Sequence, residues 1–213
     1  MQIKVNEQNH TVEADETAGA LRDRFKADAD LIIINIDTPG GLVKPMRTIV
    51  QSILGSPIPI AVYVSPAGAR ADSAGTYILL AAHVAAMAPT THLGAATPVP
   101  LVGGDSTGDP DQDSTAMDRK VVNDAVAYIR SLAERRGRNA DWAELAVREA
   151  ASLSADEALE KNVIDLVAVD VQALLQAIRD RRAELVDEGR QHEAADHQPE
   201  RRGLQRVRRH RGR

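Results

Sequence analysis

Blocks of apolar residues alternate along the chain between strand-like and helix-like spacing. Residues 31–36 read Leu-Ile-Ile-Ile-Asn-Ile, a β-branched and almost unbroken apolar run. A half-exposed strand alternates apolar and polar positions, so a continuous run predicts a strand covered on both faces, as in a parallel sheet. Residues 42–55 repeat apolar positions at helical spacing instead: Val43, Met46, Ile49, Val50, Ile53 and Leu54, with Gly55 as the cap. Residues 58–64 predict the next strand, and Ser65 to Asp72 a turn of small residues. Ser73 then opens a helix to about Ala82. The longest apolar stretch, Tyr77 to Ala88, reads as a buried helix enclosing His83. Val84–Met87 predicts a short strand and Gly94-Ala95-Ala96 a short extended piece, with His92 in the turn between them.

Residues 97–116 are rich in Gly, Pro, Asp, Ser and Thr and predict a surface loop. Helical spacing returns over 117–136, with Val121, Val122, Ala125, Ile129, Leu132 and Ala133 on one face. Asp141 is placed to cap a helix from Trp142 to about Ala150. Ser154-Ala155-Asp156-Glu157 is a capping box. Residues 163–169 predict a last strand and 171–180 a last helix. At the other end, Ile3, Val5 and Val12 suit a short edge strand, and residues 17–27 place Ala18, Leu21 and Phe25 on one helical face. Strands alternating with helices predict an α/β fold around a mostly parallel sheet.

Composition narrows the function. Of 213 residues, 43% are hydrophobic and only 2% aromatic, so the core is aliphatic. So few aromatic faces argue against a platform that stacks nucleic-acid bases. With no cysteine, thiol nucleophiles and zinc–thiolate sites are excluded. The six histidines show no metal-ligand spacing, so neither a metal nor another cofactor is expected. The net charge of −5 is uneven: residues 201–213 hold seven Arg and no acid, and removing those seven charges leaves −12 on residues 1–200. No stretch is long enough to cross a bilayer and no signal peptide is visible.

Three features carry candidate chemistry. Asp37-Thr38-Pro39-Gly40-Gly41 follows a strand, where two glycines let bare backbone N–H groups approach a ligand. Taken alone, a tight strand-to-helix turn is the commoner reading. Ser73 stands at a helix N-terminus, where the helix dipole favours a developing oxyanion, and the N–H of Ala74 follows it. Serine is also a favoured cap. Lys120 lies near a helix start beside Val121 and Val122. A lysine acts as a base only where its surroundings favour the neutral amine, and most lysines are simply solvated. His83 and His92 read as structural histidines.

Taken in order, Asp37-Thr38-Pro39-Gly40-Gly41-Leu42, the run from Ser65 to Tyr77, Ala86-Met87-Ala88-Pro89, Lys120-Val121-Val122-Asn123-Asp124, residues 130–139 and residues 154–166 resemble the NfeD family, membrane-bound serine proteases of the ClpP class. The resemblance covers about residues 28–180. It implies a ClpP/crotonase-like fold and a Ser–Lys dyad, with Ser73 as nucleophile and Lys120 as general base. It places the oxyanion hole on the N–H groups of Gly41, Ala74 and, less firmly, Gly40. The ClpP peptidases use a histidine base on a segment that reads Gly94-Ala95-Ala96-Thr97-Pro98 here, without one. The implied substrate is an apolar peptide, such as the C-terminal region of a stomatin-like membrane protein. The family also implies a homodimer or larger homo-oligomer and a membrane-associated, extracytoplasmic setting.

Two departures stand out. Residues 1–27 do not match the family's opening strand, so a sheet strand is expected to be missing. Residues 181–213 are charged and unlike the family's membrane helices, which divides the chain into a protease domain at 1–180 and a tail. A frameshifted or truncated product explains that tail best, with a genuine basic tail second. The chain's own membrane contact would then lie in parts it lacks. The alternative functions are a silent scaffold for a stomatin-like partner, binding of RNA or anionic lipid by the Arg-rich tail, and crotonase-type acyl-CoA chemistry.

Overall fold

The computed structural model describes residues 2–5, 30–98 and 113–181. The predicted helix at 17–27, Val12, most of the 97–116 loop and the tail lie outside the described residues. The chain divides into two compact units, Met1–Leu174 and Leu175–Arg213, and the account below concerns the first.

Five strands form a parallel sheet in the order β1-β2-β3-β5-β8: Gln2–Val5, Ile32–Ile36, Ile60–Val64, Val84–Met87 and Leu166–Val167. The continuous apolar runs have the predicted cause, since every residue of β2 and β3 is buried. Strand β1 pairs with β2 from Gln2↔Ile33 to Val5↔Ile36, which is the edge strand read at Ile3 and Val5; the missing strand inferred from the family mismatch is thereby corrected. A second, three-stranded sheet has the order β4-β6-β7, formed by Arg70–Asp72, His92–Gly94 and Ser152–Ser154. In it β4 and β6 run parallel, whereas β6 and β7 are antiparallel.

The helices are α1 (Val43–Leu54), α2 (Ala74–Ala81), α3 (Asp113–Arg135), α4 (Ala140–Arg148) and α5 (Ala155–Glu160), and a last helix begins at residue 171. Fully buried α2 and the inner faces of α1, α3 and α4 share one aliphatic core with the sheet.

Several boundaries depart from the sequence reading, each for a physical reason. The predicted turn at Ser65–Asp72 ends as strand β4, because Arg70, Ala71 and Asp72 find partners in His92, Leu93 and Gly94. The apolar run from Tyr77 to Ala88 is a helix followed by a strand. His83 therefore lies between them, and its Nδ1 accepts the Ile60 N–H at 3.2 Å. His92 and Gly94 belong to β6 rather than to a turn and a later strand. Helix α3 begins at Asp113, inside the predicted loop. Asn139, not Asp141, caps α4: its side chain accepts the Trp142 N–H at 2.9 Å, while Asp141 pairs with Arg130. The last strand keeps only Leu166 and Val167 of 163–169. The capping box holds, with Glu157 Oε2 accepting both the N–H and the hydroxyl of Ser154.

Candidate active site

The end of β2 and the start of α2 meet in a pair of turns. Beyond β2, Thr38 forms an isolated parallel bridge with Ala71. The Thr38 N–H donates to Arg70 O at 2.8 Å and Asp72 N–H donates back to Thr38 O at 3.0 Å. This brings Gly40 and Gly41 against Ser73. A Cβ on Gly40 would stand 2.9 Å from Ser73 Cβ, and Gly40 has φ +139°. No larger residue fits that position without displacing Ser73. A Cβ on Gly41 would meet Ala74 Cβ at an ordinary 3.9 Å.

Ser73 itself has φ 51° and ψ −114°. A non-glycine residue holds such a conformation only where its surroundings over-determine it. Here they do. The Ser73 N–H donates to Gly94 O at 2.8 Å, and its carbonyl accepts from Thr76 N–H at 3.0 Å. Thr76, fully buried, donates to Ala71 O and Gly94 O at 2.8 and 2.9 Å and accepts from Gly94 N–H at 3.1 Å. Sequence reasoning passed over Thr76; its signal was a lone hydroxyl in the apolar first turn of α2.

Gly40 N–H donates to Thr38 Oγ1 at 3.1 Å. The N–H groups of Gly41 and Ala74 donate to no other group among the described residues. Ser73 Oγ does not cap the helix it opens. Gly41, Ser73 and Ala74 thus line the same cleft of about 100 Å³ with two N–H donors and one hydroxyl that have no other partner among the described residues; its walls include Val43, Met46, Tyr77, Ala96, Val121 and Ala125.

Charge enters at two places. Asp72, beside Ser73, faces His92 Nε2 at 3.5 Å and Arg70 Nε at 3.9 Å. Burial pushes the Asp72 carboxyl up from its ordinary value, and His92 and Arg70 oppose that shift. Across the cleft, Arg47 bonds Asp124 at 2.6 Å and lies 4.2 Å above the Tyr128 ring. Tyr128 stacks on Tyr77 at 5.9 Å, and burial pushes the Tyr77 hydroxyl up to about 12.

Lys120 is exposed on α3, next to the cleft-lining Val121 and one turn before Asp124. The structure therefore brings Gly40, Gly41, Ser73 and Ala74 together and places Lys120 on the helix that forms the facing wall. No hydrogen bond joins Lys120 to Ser73 among the described residues. No group of three or more His, Asp or Glu that could hold a metal stands among them either. No helix there is long and apolar enough to cross a membrane.

A parallel sheet that ends in a glycine turn, set against a serine forced open at a helix start, puts the chain among α/β proteins of the ClpP/crotonase-like fold. Comparison with known proteins narrows this further. Residues 17–188 match the NfeD1b N-terminal domain family, and the chain belongs to it. It is 42% identical over 163 residues to membrane-bound protease PH1510 of Pyrococcus horikoshii, covering 76% of this chain and 36% of that protein. It is 30% identical over 179 residues to membrane protein NfeD1b of Bacillus subtilis, covering 78% and 38%. The chain thus spans little more than a third of the length of these relatives. Among solved structures it is similar to 1510-N, a membrane-bound stomatin-specific protease, as a serine-to-alanine mutant (TM-score 0.69, 40% identity, 82% of this chain and 81% of that one). A lysine-to-alanine mutant of 1510-N, in complex with a substrate peptide, gives the same TM-score and identity over 82% and 76%.

Proposed function

We propose that the chain is a serine endopeptidase acting through a Ser73–Lys120 dyad on apolar peptide segments, those of a stomatin-like membrane protein among them. The observation that carries this reading is the strained Ser73, its hydroxyl unbonded, beside the two free N–H groups of Gly41 and Ala74. Lys120, as the neutral amine, takes the Ser73 proton as Oγ attacks the scissile carbonyl carbon. The oxyanion then forms between the Gly41 and Ala74 N–H groups, which need no reorganisation to receive it. Gly40 contributes shape, since its own N–H is taken by Thr38. The lysine returns its proton to the leaving amine, and water releases the acyl group by the same route. The similarity to a stomatin-specific protease supports the substrate class, and the mostly apolar cleft walls suit an apolar chain. Self-association as a homodimer or larger assembly belongs to the same reading, as does a tail beginning near residue 181.

The test is cleavage of an apolar fluorogenic peptide, with fluorophosphonate labelling of the full chain. Ser73→Ala is expected to lose the label and about 10³-fold or more of the rate. Lys120→Ala is expected to lose about 10²–10⁴-fold while staying folded. Full activity in Lys120→Ala would overturn the dyad. An unlabelled chain that still binds a stomatin-like protein would make it a scaffold.

A further inference from the structure

The two ends of α3 are held differently. From Val126 onward the helix is fixed by buried Val126, Ile129, Leu132 and Ala133 in the core shared with α4. Residues 116–121, with Lys120 among them, are all exposed. Among the described residues, the one hydrogen bond or ion pair tying 116–125 to another element is Arg47 Nη2 to Asp124 Oδ2 at 2.6 Å, reaching from α1. The guanidinium of Arg47 also lies on Tyr128, one turn further along α3, and Tyr128 stacks on Tyr77 of the helix that Ser73 opens.

Lys120, Asp124 and Tyr128 stand four residues apart, so they share one stripe of α3. Arg47 grips two of the three. A side chain this exposed contributes little to folding through such a pair. Val122 and Ala125 pack against the core, and the contact adds a polar tie between the first turns of α3 and the turn that follows Gly41, because α1 begins two residues after that glycine.

We propose that Arg47 and Asp124 form a clasp that positions the Lys120 end of α3 at the Ser73 cleft, making both positioning residues for the hydrolysis. The inference rests on the Ser73–Lys120 reading. The clasp acts on reactivity: it keeps the base within reach of the Ser73 proton, and misplacing a catalytic group by about 1 Å costs on the order of 100-fold in rate.

The experiment measures kcat and KM on an apolar fluorogenic peptide, fluorophosphonate labelling and Tm for the full chain. The variants are Arg47→Ala, Asp124→Asn and the exchange Arg47→Asp with Asp124→Arg. Each single variant is expected to lose roughly 10–100-fold in kcat, with KM within about threefold and Tm nearly unchanged. The exchange is expected to recover most of kcat. Single variants as active as the unaltered chain would overturn the clasp, and so would an exchange that fails to recover, which would make Arg47 a direct substrate contact. If the unaltered chain neither labels nor cleaves, the protease reading fails, and the clasp falls with it. Labelling and cleavage with insensitive Arg47 and Asp124 variants would sink the clasp alone.

Discussion

The two sides of the cleft are built by different physics. The Ser73 side is backbone, closed into place by parallel strand ends, a glycine with no room for a Cβ and the buried hydroxyl of Thr76. The Lys120 side is the exposed end of a long helix, held by side chains alone. An oxyanion hole gains from donors that are already aimed, and backbone in a packed turn supplies that. A lysine base needs surroundings that favour the neutral amine, and an exposed helix end does not by itself provide them. The burden of rigidity therefore falls on one wall of the cleft.

That contrast can be broken from its rigid side first. Gly40→Ala is expected to cost about 4 kcal/mol, from backbone strain at φ +139° and a Cβ contact at 2.9 Å, and to disable Ser73 with it. Gly41→Ala, whose Cβ meets only an ordinary contact at 3.9 Å, is expected to unfold at nearly the denaturant concentration of the unaltered chain. Equal losses in urea titrations of the two variants would refute the account of the turn.

A smaller effect separates the two ends of α3. Ile129→Ala removes a fully buried side chain and is expected to cost about 3 kcal/mol. Val121→Ala, at an exposed cleft-lining position, is expected to cost under about 1 kcal/mol. Similar losses at both positions, measured by chemical denaturation, would mean that the helix is anchored along its whole length.

The smallest expected effect is a pH dependence remote from the cleft. Burial, reinforced by Arg136 and Arg138, holds the His83 imidazole below its ordinary 6.5, and its Nδ1 accepts the Ile60 N–H. The unfolded chain binds the proton first as pH falls, so this contribution to stability is complete above about 6.5 and is lost as pH falls through the lower folded value. His83→Gln is expected to flatten the stability curve between about pH 7 and pH 5. An unchanged slope in urea titrations across that range would show that His83 is not the group responsible.

Much of this was legible from residue order. The unbroken apolar runs predicted covered parallel strands because such strands have no solvent face to mark with polar residues. The helical stripe of α3 and the capping box of α5 depend on neighbours three and four apart, so they too could be read locally. The readings that failed depended on distant partners. Strand β4 exists because His92 to Gly94 lie beside it. The short edge strand read at Ile3 and Val5 did form, as β1 on the edge that β2 offers, although its residues match no family pattern.

The site divides along the same line. Sequence alone determined which residues are available: a serine at a helix start, two glycines after a strand, a lysine beside an apolar stripe and no cysteine. It could not say which N–H groups stay free, because that depends on which carbonyls and hydroxyls fold over them. Tertiary structure assigned the Gly40 N–H to Thr38 and left those of Gly41 and Ala74 open. It also brought Arg47 to Asp124 across 77 positions of chain. Local propensity is written in neighbours, whereas hydrogen-bond satisfaction and close packing are settled only when remote segments meet.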